Sequence, residues 1–111
     1  MNIQNILIQN IIGDVIISEG NSFTVLGGRS TINGGIVLVD GVEDDVTITV
    51  IPGAYNSVCI QNITGDVAIS LNQSKVECLI VNNVSGDVSG KVHANTSVIE
   101  RILDDCYLVV D

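Results

Sequence analysis

Asp14, Asp66 and Asp87 each stand in the same triplet, Gly13-Asp14-Val15, Gly65-Asp66-Val67 and Gly86-Asp87-Val88. Carboxylates recurring in a fixed frame are the groups that hold a divalent cation or work as an acid/base pair. A glycan-active enzyme would use them so, but it needs a long groove and more ligands than this chain offers. Two carboxylates roughly 5 Å apart repel by about 1 kcal/mol in water, which is tolerated where they point to solvent. The 21-residue spacing of Gly65 and Gly86 puts Asp66 and Asp87 next to each other, and Gly35 interrupts the column towards Asp14. His93, the only histidine, has no serine elbow or Cys-His motif around it. Gly27-Gly28 and Gly34-Gly35 lack the Lys-Ser/Thr and following helix of a phosphate loop. Cys59, Cys78 and Cys106 are odd in number and show no CxxC spacing, so neither a disulfide framework nor a zinc site is indicated. The expectation is a non-enzymatic protein with no catalytic residue, metal or cofactor.

The triplets sit in a longer frame. Residues 8–15, Ile-Gln-Asn-Ile-Ile-Gly-Asp-Val, return as residues 60–67, Ile-Gln-Asn-Ile-Thr-Gly-Asp-Val, and more loosely as residues 81–88. Fixed-frame recurrence marks stacked structural units. Ile6 and Ile8, Val58 and Ile60, Leu79 and Val81 alternate with period two, as do Val15 and Ile17, Val67 and Ile69. Between these runs the parity slips, at Asn10, Asn62 and Asn83. A straight strand cannot slip parity without turning its apolar side outward. Asn tolerates left-handed backbone, so the frame reads strand, corner, strand around one interior. That is a coil of a β-solenoid. An antiparallel sandwich of short strands explains the alternation but not the repeated asparagine.

Coils of 21 residues are expected from Gly65 to Gly86 and from Gly13 to Gly34, with residues 31–38 matching the frame without its Asp. Residues 35–56 do not fit cleanly; counting back 21 from Gly65 reaches Asp44, which restores the register. Ser97-Val98-Ile99-Glu100 spells a helix capping box, so residues 97–106 read either as a further coil or as a short helix over the end of the rod. The first coil, residues 1–12, is expected to leave an unpaired strand edge. The fold expected is all-β: one domain over residues 1–111, a right-handed parallel β-solenoid of about five coils, roughly 24 Å long.

Composition agrees with strands. The chain has 111 residues, 46% hydrophobic but only 3% aromatic, with no Trp and one Pro. Such a chain builds a thin core of Val, Ile and Leu. Thirteen acids against Lys75, Lys91, Arg29 and Arg101 give a net charge of −9. Phosphate binding needs clustered Lys and Arg, so nucleic acid and anionic membrane are not expected ligands. A basic protein surface is a candidate partner. No signal-peptide pattern and no membrane-length apolar run precedes or interrupts the repeats, so a reducing compartment is expected: the cytoplasm of a bacterial or phage-infected cell.

The Gly-Asp-Val frame resembles that of the bactofilins, bacterial polymer-forming solenoids, and is similar to the adhesin-head-like solenoids of bacterial surfaces. The resemblance implies a tube of parallel strands with a structural or binding role. The disordered tails of the one and the export signal of the other are not matched by residues here.

Parity also marks what points outward. Leu7, Cys59 and Ile80 share one outward position; Ile16, Val37 and Ala68 share another. Outward aliphatic columns make a flat apolar surface, the usual mark of association. The leading expectation is a protein that acts by protein–protein contact and self-association, as a homo-oligomer, through Leu7, Cys59, Ile80, Ile16 and Val37. The alternative is an acidic inhibitor, of anti-defence type, whose Asp40, Glu43, Asp44 and Asp45 occupy the nucleic-acid-binding site of a target protein. Far-ultraviolet circular dichroism is expected to be strand-dominated; helical minima would contradict the reading.

Overall fold

A computed structural model describes residues 3–111. It contains ten strands: β1 Asn5–Ile12, β2 Val15–Glu19, β3 Thr24–Leu26, β4 Ser30–Asn33, β5 Ile36–Val42, β6 Val46–Val50, β7 Ala54–Thr64, β8 Val67–Val84, β9 Val88–Ile102 and β10 Cys106–Val110. The protein is all-β, with no helix among the described residues. The strands form one mixed sheet in the order β3-β6-β2-β8-β7-β1-β5-β4, with β9 beside β8 and β10 beside β9. The sheet doubles back through the long strand β8, whose first half pairs with β2 and second half with β7.

Apolar side chains line the inside in columns that run from strand to strand. Val39, Ile8, Ile60 and Val81 are register neighbours, as are Val46, Val15, Val67 and Val88, and every one is fully buried. Full burial of a medium aliphatic side chain contributes about 1.5–3 kcal/mol. A one-residue slip would turn a whole column to solvent, which is what holds the register.

The order of the layers differs from the simple 21-residue count. Ile8 pairs on one side with Ile60, and on the other side with Val39. Residues 5–19 therefore lie between residues 36–50 and residues 54–71. The chain builds this middle layer first, passes outside it, then returns to its other side. Gly34 does not take the place of a motif glycine. Gly34 and Gly35, at φ +59° and +80°, turn β4 into β5, and these two strands pair antiparallel. The motif position in that layer belongs to Asp44, since Val42 matches Ile11 and Val46 matches Val15. Part of the stretch expected as a regular coil between Gly13 and Gly34 instead makes β3 and β4, which lie antiparallel along β6 and β5 and cover that end of the stack.

One further expectation is corrected, and one open alternative is decided. β1 is not an edge, because β5 and β7 flank it; of the segment 1–12 expected to be exposed, Met1 and Asn2 lie outside the described residues. Residues 97–102 are strand, with Ser97 beside Leu79 and Ile99 beside Val81, so there is no capping helix. Extended geometry continues the β8 columns and pairs its edge, which outweighs a local capping box next to β-branched Val98 and Ile99.

The parity slip has a backbone cause. Asn10, Asn62 and Asn83 adopt φ of +57°, +57° and +59°. Their side chains form an amide ladder: Asn83 Nδ2 donates to Asn62 Oδ1 at 2.8 Å, Asn62 Nδ2 to Asn10 Oδ1 at 3.1 Å, and Asn10 Nδ2 to Asp40 Oδ1 at 2.9 Å. Arg101, at φ +55°, turns the same corner in the last layer.

Gly65 is held tighter still. It has φ +148°, and a Cβ there would come within 2.3 Å of the Gly13 carbonyl oxygen. Gly65→Val is expected to destabilise by roughly 2–4 kcal/mol, through clash and strained backbone together. Ser70→Val, at an exposed outward position, is expected to stay within about 0.5 kcal/mol. Equal denaturation midpoints for the two variants would contradict the close stacking at Gly65.

Candidate interaction surfaces

The aspartates of the triplets form one continuous ladder with Asp45, which follows Asp44 of the restored register, and with Asp105. Asp14 N donates to Asp45 Oδ1 at 2.8 Å, Asp66 N to Asp14 Oδ1 at 2.9 Å, Asp87 N to Asp66 Oδ1 at 2.8 Å, and Asp105 N to Asp87 Oδ1 at 3.0 Å. The following valine completes each clamp: Val46 N donates to Asp14 O, Val15 N to Asp66 O, Val67 N to Asp87 O, and Val88 N to Asp105 O. Each carboxylate thus caps a backbone donor at a corner where strand pairing cannot. Gly35 does not interrupt this column, and Asp14 is adjacent to Asp66. The adjacency spans 52 residues of sequence, which a count of 21 could not find.

This explains why the triplet needs those residue types. Glycine lets the backbones approach, aspartate supplies an acceptor short enough to reach the next layer, and valine returns to the core. A chain of backbone-bonded carboxylates is a structural device first. At its lower end Asp87, Asp104 and Asp105 each offer an oxygen, all within 4.8 Å of one another. Asp87 Oδ1 is already bonded to Asp105 N, and Asp105 Oδ2 to the Tyr107 hydroxyl at 3.0 Å. The hydrogen bond to Asp105 first, then local desolvation and the charges of Asp87 and Asp104, push the Tyr107 phenol above its ordinary pKa. Beside the ladder runs a shallow groove of about 300 Å³ floored by Ile16, Ala68, Ser89 and Tyr107.

Leu7, Cys59 and Ile80 are direct register neighbours on the outside of the sheet. Leu38 precedes them and Val98 follows, so the aliphatic column is Leu38, Leu7, Cys59, Ile80, Val98. Leu38 and Val98 were not singled out by sequence: the first was misframed by the Gly34 count, and the second sits in the ambiguous C-terminal segment. The four inner members are half-buried by their neighbours, whereas Val98 is 44% exposed. Polar columns flank the strip. On one side Ser57 donates to Asn5 Oδ1 at 2.7 Å; on the other Gln61 Nε2 donates to Gln9 Oε1 at 2.7 Å. Burial, and secondarily the nearby Cys78, raises the Cys59 thiol pKa.

The second outward column does not form as expected. Ile16 is exposed, but its neighbours are Thr47 and Ala68, followed by Ser89 and Tyr107. Val37 is fully buried, since it pairs with inward Ile6 rather than with the Ile16 column. Counting from Gly34 put Val37 after the motif position, where odd offsets face out; counted from Asp44 it lies seven residues before it, in the inward place of Ile6.

The acidic group at Asp40, Glu43, Asp44 and Asp45 is exposed but divided in use. Asp40 accepts from Gln9 and Asn10, Asp44 accepts Asp45 N, and Asp45 heads the aspartate ladder; only Glu43 has no such bond. His93 Nε2 lies 3.0 Å from Asn72 O, and its Nδ1 lies 3.3 Å from Asp111 Oδ2.

One polar cluster escaped the sequence reading. Ser74 is fully buried, and its hydroxyl donates to Glu19 Oε2, while Gln73 N donates to both Glu19 oxygens at 3.0 and 3.1 Å. Gly53 N donates to Ser74 Oγ at 3.3 Å. Glu19 thereby ties the end of β2 to residues 73 and 74 of β8. No motif connects residues 54 and 55 positions apart, so no sequence signal could find it.

No family model matches the chain, and no curated protein or solved structure matches it either.

If the ladder carboxylates act mainly as backbone acceptors, Asp66→Ala should be about 1 kcal/mol less stable than Asp66→Asn, which keeps an acceptor and removes the charge. Urea titrations of both variants check this. Equal stabilities would show that the bond to Asp87 N contributes nothing.

Proposed function

We propose that this chain is a right-handed parallel β-solenoid of about five coils that works by protein–protein contact, without catalysis. The carrying observation is the aliphatic strip Leu38, Leu7, Cys59, Ile80 and Val98, which crosses five strands without a polar break. Handedness follows the general preference of parallel crossovers. The parallel pairing of β5, β1, β7, β8 and β9 supports the coil reading. A continuous aliphatic strip of this kind serves as an association surface, and it can face the same strip of a second copy. Self-association of this kind agrees with the bactofilin and adhesin-head resemblance and does not depend on it.

A second reading draws on a specific observation. Asp45, Asp14, Asp66, Asp87 and Asp105 line up along one edge. A straight row of acids is what an inhibitor of a basic, nucleic-acid-binding protein surface needs. Light scattering with and without such a basic protein distinguishes the readings.

Replacing Leu7 and Ile80 together by Lys should at least halve the average mass at high micromolar concentration while strand content is retained. An unchanged mass would overturn the strip as a contact surface and move the acidic-edge reading ahead.

A further inference from the structure

Two of the three cysteines meet on the outside of the sheet. Cys59 lies on β7 and Cys78 on β8; both are half-buried free thiols. The register pairs Cys59 with Ile80, and Ser57 with Cys78. Cys78 is therefore diagonal to Cys59, one strand across and two residues back, on the same outward side. Parallel strands lie about 4.8 Å apart and rise about 3.3 Å per residue, so the two Cα atoms are about 8 Å apart. The third thiol is elsewhere: Cys106 is exposed on β10, beside Val88.

This spacing decides what the pair can do. A disulfide needs Cα atoms closer than about 7 Å, so these thiols cannot join without moving the sheet. A single ion held between two sulfurs needs less approach, because two metal–sulfur bonds of about 2.3 Å in line span about 4.6 Å. Cys59 leaning back along β7 and Cys78 leaning forward along β8 close most of the difference. The sulfurs already act on each other, since Cys78, after burial, is the second cause that raises the Cys59 thiol pKa.

No third ligand joins the pair. Among the described residues, the set of three His, Cys, Asp or Glu ligand atoms within 4.8 Å of one another is Asp87, Asp104 and Asp105. The Ser57 hydroxyl is bonded to Asn5, and Glu77 Oε2 accepts from Asn95 Nδ2 at 2.7 Å. Leu7 and Ile80 flank Cys59 on its two sides. The place offers two soft sulfurs on an apolar bed. Structural zinc and iron–sulfur centres take four ligands. Cu(I) is the soft ion that thiolates select, and two of them in line satisfy it. We propose that Cys59 and Cys78 form a two-thiolate site for Cu(I). The ion makes one bond to each sulfur, both thiols release their protons to water, and the bound site carries one negative charge. The site lies at the margin of the aliphatic strip and does not rest on association through it.

The test presents Cu(I), as its bicinchoninate complex and without oxygen, to the reduced chain. Native mass spectrometry counts the ions per chain, so the result stands whether or not the strip associates. Wild type is expected to take one Cu(I) per chain from the chelator. It should hold the ion more tightly as pH rises, because binding displaces protons. Cys59→Ser and Cys78→Ser should each weaken binding by about 100-fold or more, since one of two thiolates is lost. Both should keep the wild-type circular dichroism. Cys106→Ser should bind as wild type does. Unweakened binding in either of the first two variants, or its loss in Cys106→Ser, would overturn the site. So would one ion per two chains, or no transfer from the chelator. Ready formation of a Cys59–Cys78 disulfide within one chain under a mild oxidant would also overturn it, by showing the thiols closer than the register places them.

Discussion

The fold depends on one repeated clamp. An aspartate carboxylate accepts the backbone N–H of the aspartate in the next layer, and the valine after one of the pair returns a bond to the other's carbonyl. The clamp sits where the sheet turns a corner, the place at which strand pairing loses its partners. Glycine is needed beside it because the layers touch there with no room for a side chain. With the corners tied, the strands between them stay in register and each apolar column stays inside. Stacking like charges costs about 1 kcal/mol per neighbouring pair in water, less with salt. Pairing the corner donors offsets that cost.

The asparagine corner does the complementary task. The left-handed turn lets both strands of a layer face one interior, and the side-chain amides bond from layer to layer. Asparagine is favoured because it accepts this backbone conformation and offers both a donor and an acceptor. At the top of the ladder Asp40 replaces the next asparagine as acceptor, and at the bottom Arg101 takes the same backbone conformation without the amide. The ladder thus ends where the regular layers end.

Much of this was legible in residues 8–17, 60–69 and 81–92. Their alternation shows which side chains face in, and the asparagines mark the corner. Leu7, Cys59 and Ile80 were placed in one outward column by parity alone, and they are register neighbours. What parity could not show is which layers touch. Sequence order suggests that the first layer is an end, yet it is the middle one, since residues 36–50 pair on one side of it and residues 54–71 on the other. Local periodicity carries no information about that placement, because every layer offers the same columns to its neighbours. The misplaced Val37 follows from the same gap, and so does the missed continuity of the aspartate ladder. The capping box at residue 97 failed for another reason: pairing to β8 outweighed a local signal.

The insertion of the first layer between two later ones is the central claim, and nuclear Overhauser contacts test it most directly. Side-chain contacts should link Leu7 with Cys59 and Ile8 with Ile60, and on the other side Leu7 with Leu38 and Ile8 with Val39. Contacts from Ile8 to residues 21 positions later, around Arg29, should be absent. Strong contacts at that spacing, with none between Ile8 and Ile60, would mean that the layers stack in sequence order and would contradict the account.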